Sequence, residues 1–169
     1  MTLRYIALMT PFLVLLGCQK DLPPEQKLAL FKAVEAGDAD TLQKALNAGI
    51  SPNLYHSERG YLIFAATVSD EVKPLEILIK AGADVNSRKK EGDGPLIGTF
   101  LSGRCEQSRL LLSAGATPED RFDTAREAAA GSEYQNKSAR QLYYLYKEKF
   151  PNQWERKKAC WLDVERMMK

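Results

Sequence analysis

The chain has little of what most catalytic and metal-binding sites require. His56 is its only histidine, and no other ligand residue stands at metal-binding spacing from it, whereas a zinc site needs three or four convergent ligands. A glycine-rich phosphate loop, a nucleophile elbow and a paired-carboxylate motif are also missing. We therefore expect no enzyme activity, no small-molecule substrate, no metal and no cofactor.

Neither sign of charge dominates the composition. Twenty-four lysines and arginines face 22 aspartates and glutamates, for a net charge of +2 at pH 7. No basic block of the kind that binds nucleic acid is present, so we expect a partner recognised by shape. The short run Arg88-Lys89-Lys90 could contact anionic headgroups, but Glu91 and Asp93 offset most of its charge.

The longest apolar run, Tyr5–Leu16, is too short to span a bilayer, which takes about 20 residues. It follows the basic residue Arg4, as in a secretory signal peptide. Its end, Leu15-Leu16-Gly17-Cys18, resembles the lipobox of bacterial lipoproteins. The alternative is an ordinary signal peptide with a chance cysteine.

The lipobox resemblance implies a membrane anchor. Residues 1–17 would be removed, Cys18 would carry fatty acyl chains, and residues 18–26 would form the lipidated cysteine and its tether. Gln19, rather than aspartate, follows the cysteine, and in the lipoprotein family this implies the outer membrane, on its periplasmic side. Several acyl chains together anchor a protein almost permanently.

Three Ala-Gly pairs recur at an interval of thirty-three residues, at Ala48-Gly49, Ala81-Gly82 and Ala114-Gly115. Within each unit, apolar residues at helical spacing predict two short helices, and the glycine ends the second. Such a pair cannot bury its apolar face alone, so neighbouring units must stack. The predicted fold is an all-α repeat solenoid.

The pattern resembles ankyrin repeats, most clearly in Leu75–Asn86 of the second unit. The predicted organisation is a repeat domain over residues 27–150, with three clear units and a degenerate fourth, then a capping helix over residues 151–169. We predict helices at Phe122–Ala130 and Lys137–Phe150 in the fourth unit, and a last helix at Gln153–Met168. Because no unit keeps the family's histidine and Gly98 lies inside a helix, we expect weak hydrogen bonding between units.

In the ankyrin family, specificity comes from finger-like loops between units and from exposed residues of each first helix. Carried onto this chain, the first finger is Asn53–Gly60, the second is Asn86–Gly94, and a third, shorter one is Glu119–Arg121. The predicted partner-binding residues are Tyr55, His56, Glu58, Arg59, Arg88, Lys89, Lys90, Glu91, Asp93 and Arg121. Tyrosine and arginine are enriched in binding hot spots, which favours Tyr55, Arg59 and Arg88. For any one of these residues, the alternative is a merely solvated loop.

Two cysteines, Cys105 and Cys160, remain beyond the anchor. An oxidising compartment permits a disulfide between them, which would close a loop of more than fifty residues. The alternative is that Cys105 is a small core residue. Without a nearby basic group, neither thiol is predicted to be reactive.

A tether, a recognition array and the lack of a catalytic motif favour a protein-binding lipoprotein. The combination resembles small ankyrin lipoproteins that serve as immunity proteins against type VI secretion toxins, especially lipases that attack membrane phospholipids. This resemblance implies a cognate toxin as partner, inhibited by steric cover of its active site. The alternative is an envelope adaptor or stress-protection scaffold that binds a resident periplasmic protein.

Overall fold

The computed structural model describes residues 21–88, 93–119, 134 and 136–169. These residues form nine helices and one two-stranded antiparallel ladder. The helices are α1 (Pro24–Glu35), α2 (Ala39–Asn47), α3 (Leu62–Val68), α4 (Lys73–Lys80), α5 (Pro95–Leu101), α6 (Cys105–Ser113), α7 (Ala139–Lys149), α8 (Pro151–Arg156) and α9 (Lys158–Met167). The ladder joins β1 (Tyr55–His56) to β2 (Gly60–Tyr61). Among the described helices, none is both long and apolar enough to cross a membrane.

Helix ends follow local sequence chemistry. The Asp38 carboxylate caps α2 by accepting hydrogen bonds from the Thr41 hydroxyl at 2.6 Å and the Thr41 N–H at 2.9 Å, and these bonds lower the Asp38 pKa. After α2, Gly49 has φ +89°, and the equivalent glycines of the next two units have φ +86° and +92°. Side chains other than glycine rarely adopt this conformation, which explains the repeated Ala-Gly pair.

The helices stack in two layers. In one layer, α1, α3, α5 and α7 pack successively against each other; in the other, α2, α4, α6 and α9 do the same. Units one to three are therefore α1–α2, α3–α4 and α5–α6. The mostly helical structure is consistent with the predicted all-α repeat fold, and the short ladder is the departure from it.

Two asparagines join consecutive units. The Asn53 amide nitrogen donates to the Gly82 carbonyl at 3.4 Å, and its oxygen accepts from the Asp84 N–H at 2.7 Å. Asn86 makes the equivalent two bonds to the third unit, at 3.0 and 2.9 Å. The missing family histidine predicts weak hydrogen bonding between units. In the described units, these asparagine amides form inter-unit bonds independently of that histidine.

The carboxyl-terminal helices differ from the prediction. The segment predicted as the second helix of a fourth unit, Lys137–Phe150, is observed as α7 but packs against α5, in the layer of first helices. Helix α9 packs against α6 and occupies the place of the second helix. The fourth pair is thus α7 and α9. The predicted helix Phe122–Ala130 lies outside the described residues.

Local signals account for where these helices begin. Ser138 and Gln141 form a reciprocal capping box that starts α7. The predicted single helix Gln153–Met168 is two helices, α8 and α9, which meet at Lys157, and Pro151 occupies the first position of α8.

Large rings and a disulfide close this end of the core. Trp161 and Tyr143 are fully buried, and their rings lie 6.2 and 5.8 Å from the ring of Phe100 in α5. The structure joins Cys105, the first residue of α6, to Cys160 of α9 in a disulfide with a Cα–Cα distance of 6.2 Å. Aromatic packing therefore links the first layer to α9, and the covalent bond holds α9 on the second layer.

Candidate functional site

The first finger is a short β-hairpin. Tyr55 pairs with Tyr61 and His56 with Gly60 in antiparallel register. The His56 carbonyl accepts from the Arg59 N–H at 3.2 Å, and Gly60 has φ +77°, a backbone geometry that suits a tight turn. The sequence predicts a loop here, whereas the structure has a hairpin, which gives its side chains fixed positions.

Two of the predicted contact residues hold this hairpin on α1. The His56 ring lies 5.7 Å from the ring of the buried Phe31, and its Nδ1 accepts from the Glu58 N–H at 3.3 Å. The Arg59 guanidinium pairs with the Glu35 carboxylate at the end of α1, and both side chains are one-third exposed. These contacts orient the finger, so Arg59 is only partly available to a partner.

Tyr55 and Glu58 face solvent. The Tyr55 ring packs edge-on against Tyr61 at 5.1 Å and is still 38% exposed. Glu58 is exposed at the turn. An aromatic ring that is braced by a neighbour and open to solvent can contact a partner at little entropic cost. Among the predicted residues of the first finger, Tyr55 is therefore the best placed for recognition.

The second and third fingers are described only in part. Arg88 is exposed and Asp93 is half-buried. The predicted contact residues Lys89, Lys90, Glu91 and Arg121 lie outside the described residues. In the third finger, Glu119 pairs with Arg140 of α7 at 2.7 Å, which ties that finger to the fourth pair. The described structure thus brings together Tyr55, His56, Glu58 and Arg59, all from one hairpin.

Sequence reasoning missed two exposed apolar residues in the first-helix layer. Val68 at the end of α3 is 50% exposed and Leu101 at the end of α5 is 38% exposed. They stand thirty-three residues apart, at the repeat position held by Glu35 in unit one. Glu35 contacts Arg59 of the hairpin, and from the repeat register we infer that Val68 and Leu101 lie on the same side of their units. We call Tyr55, Val68 and Leu101 the finger face.

A signal for these residues was present in the repeat alignment. A position that is charged in one unit and apolar in the next two, at the solvent end of a helix, indicates a surface that is not merely solvated. Exposed apolar side chains are common singly, but a row in repeat register is a candidate contact surface.

Known proteins share the repeat. An ankyrin repeat-containing protein of Schizosaccharomyces pombe is 40% identical over 82 residues, which cover 48% of this chain and 38% of the relative. A putative ankyrin repeat protein of Fowlpox virus is 32% identical over 87 residues, covering 50% of this chain and 14% of the relative. An ankyrin repeat and KH domain-containing protein of Caenorhabditis elegans is 28% identical over 106 residues, covering 62% and 4%.

These similarities support an ankyrin-repeat protein. No family model matches the chain. The chain spans less than two-fifths of the length of each of these relatives. Ankyrin repeats are typically non-catalytic, so the similarities suggest a protein–protein interaction module.

One cluster of potential metal ligands occurs among the described residues of this array. Cys105, Glu106 and Cys160 have ligand atoms within 4.8 Å of one another, and a Glu106 oxygen lies 3.0 Å from the Cys160 sulfur. A thiolate, not a disulfide, is the ligand that zinc takes from cysteine. Because both sulfurs are committed to the disulfide, the Glu106 carboxylate is the one potential metal ligand left in this cluster. The role of the cluster is therefore structural.

Proposed function

We propose that this chain is a lipid-anchored immunity protein that faces the periplasm and inhibits a secreted antibacterial toxin. The toxin class we propose is a phospholipase effector of type VI secretion. The observation that carries the binding role is the finger face of Tyr55, Val68 and Leu101, exposed beside a hairpin that is held on α1. The ankyrin-type relatives support the binding role, because they suggest a protein–protein interaction module. The toxin class rests on the lipoprotein resemblance.

The finger face has the composition of an interface core. Interfaces concentrate aromatic and apolar side chains at the centre and place charged residues at the rim. Val68 and Leu101 lie on adjacent packed helices, and packed helices are about 8–10 Å apart, so one helix or loop of a partner can contact both. The nearby rim includes Glu58 and the Arg59–Glu35 pair.

Inhibition by this surface would be steric. A folded array seated over the entrance of a lipase active site blocks the lipid substrate and needs no chemistry of its own. Acylation of Cys18 would strengthen this inhibition, because tethering raises the local concentration of inhibitor where the lipid substrate lies.

The first experiment is a binding and inhibition assay. Residues 19–169 would be immobilised and exposed to periplasmic extract and to the purified product of the adjacent gene. We expect one-to-one capture of a lipase with loss of its activity. Capture of a resident envelope protein alone would instead favour the adaptor function. Unchanged survival of a deletion strain beside toxin-secreting siblings would also contradict immunity.

A matched pair of variants locates the surface. Val68→Asp with Leu101→Asp should weaken partner binding at least about 30-fold, the effect of losing a hot spot of about 2 kcal/mol. Leu162→Asp makes the same apolar-to-acidic change at a side chain 41% exposed on α9, in the other layer, and should leave affinity unchanged. Affinity for the partner is measured by titration calorimetry. If the double variant and Leu162→Asp bind the partner equally well, the finger face is excluded as the binding surface.

A further inference from the structure

The first unit has an apolar groove on its free outer side. The groove has a volume of about 380 Å³, and its apolar lining includes Leu22, Ala29, Leu30, Ala45, Ala48 and Ile50. It lies where α1 and α2 would meet a preceding unit, because α3 and α4 pack on their other side. Terminal units of stacked arrays normally present a polar outer face to water. This face is mostly apolar instead, with Asp21, Gln26 and Thr41 as its polar lining, which indicates that it is covered.

The repeat register shows that these are stacking positions. Leu30 aligns with Ile63 and Leu96, and Ala45 aligns with Leu78 and Leu111. The four partners in units two and three are at most 2% exposed, whereas Ala45 is half-buried. Unit one therefore carries a smaller side chain where the next two units carry a buried leucine, which opens a groove in place of a packed contact.

The length of chain before the groove indicates what covers it. Cys18 precedes Asp21 by three residues, and an extended chain spans at most roughly 3.6 Å per residue, so the two Cα atoms can lie no more than about 11 Å apart. If Cys18 is acylated, this end of the array is held within that distance of the lipid headgroups. Among the described residues at this end, Lys27 pairs with Asp21 at 2.7 Å.

We propose that this groove rests on the phospholipid surface in which Cys18 is anchored. The inference depends on the lipid anchor of the proposed function and adds a second, non-covalent contact. Apolar side chains buried in the interfacial region strengthen membrane attachment. Contact at this end would orient the array, with unit one on the membrane and the Trp154–Trp161 end away from it. The finger face would then extend outward from the membrane, with its unit-one end closest to the lipid surface on which a lipid-degrading partner works.

The test uses the acylated full mature chain in vesicles of phosphatidylethanolamine and phosphatidylglycerol. Ala48→Trp places a fluorophore at the groove. Ala81→Trp is its matched control, because Ala81 is the exposed residue thirty-three positions later, at the same helix end in unit two. Replacing the lipids by forms brominated in the acyl chains should quench the tryptophan in A48W and not in A81W. The native tryptophans provide the unquenched reference.

Each outcome has a defined meaning. Mass spectrometry and vesicle flotation report on the anchor separately from quenching. A chain that carries no acyl group and does not float overturns both the anchor and this inference. A chain that floats but shows equal quenching of A48W and A81W overturns the inference alone. A blue-shifted A48W emission without lipid, together with a dimer in sedimentation equilibrium, would assign the groove to a second copy and also overturn it.

Discussion

The junctions among units one to three and the junction that closes the array use different physical means. Asn53 and Asn86 bridge consecutive units by the same two amide hydrogen bonds, repeated after thirty-three residues. At the carboxyl-terminal end, buried rings and the Cys105–Cys160 disulfide hold α7 and α9 on the third unit. A repeated interface can use a small repeated motif, whereas the last face must be closed by its own large side chains.

The largest effect is expected from Trp161→Ala. Trp161 is fully buried and its ring lies within 6.2 Å of the rings of Phe100, Tyr143 and Tyr146. Truncating such a residue costs about 3–5 kcal/mol of unfolding free energy. Urea unfolding measures it. Leu162→Ala, at an exposed neighbour, should change stability by no more than about 0.5 kcal/mol. A similar loss for both variants would contradict the proposed role of the buried rings.

The disulfide is expected to rank second. Cys105→Ala with Cys160→Ala removes a cross-link between residues 55 positions apart, which restrains the unfolded chain. The loss should be about 2–4 kcal/mol. Reduction of the wild-type protein by dithiothreitol should shift the urea midpoint in the same direction. An unchanged midpoint after verified reduction would show that aromatic packing alone closes the array.

The asparagine bridges should have a smaller effect. Asn86→Ala removes a donor and an acceptor between units two and three, and net hydrogen bonds contribute about 0.5–1.5 kcal/mol each. Asn47→Ala is the control, since its side chain accepts a bond from Gln43 within one helix. Urea unfolding should show a loss only for Asn86→Ala. Equal stability of both variants would mean that apolar stacking, not the amide bridge, joins the units.

The smallest effect is expected from ionisation of Tyr143. It leaves the free energy of unfolding unchanged at neutral pH and lowers that free energy increasingly as the pH becomes alkaline. Burial raises the pKa of Tyr143 above its ordinary value of about 10. Its contribution is complete below pH 10 or so and is lost as pH rises further, because the unfolded chain releases the proton while the folded chain keeps it. We expect urea stability to fall with a slope of up to about 1.4 kcal/mol per pH unit.

Two tyrosine variants assign this alkaline loss. Tyr143→Phe should reduce the slope, although it also removes the acceptor of the Trp154 Nε1 bond at 3.3 Å and so lowers stability at every pH. Tyr144→Phe, at a side chain 45% exposed on the same helix, should keep the wild-type slope. An unchanged slope in Tyr143→Phe would assign the alkaline loss to other groups.

Much of the array could be read from local patterns, and the finger contacts could not. Gly49, Gly82 and Gly115 end helices because the required φ is positive, a property of the residue itself. Arg59 pairs with Glu35, which lies 24 residues earlier, a contact that was not predicted, and its role in partner binding stays a prediction. That pairing depends on how the hairpin folds back over α1. The exposure of Val68 and Leu101 depends in the same way on what packs around them.

The sequence by itself determined the thirty-three-residue period, the helix pairs of the first three units and the need to stack them, because helix ends and apolar periodicity are local properties. It also determined the expected anchor at Cys18, which stays a prediction. Only the tertiary structure decided that α7 enters the first layer and α9 the second, and that Cys160 lies beside Cys105. It also revealed the groove on unit one. These features depend on contacts between residues far apart in the chain, and local periodicity carries no information about such contacts once the repeat register is lost.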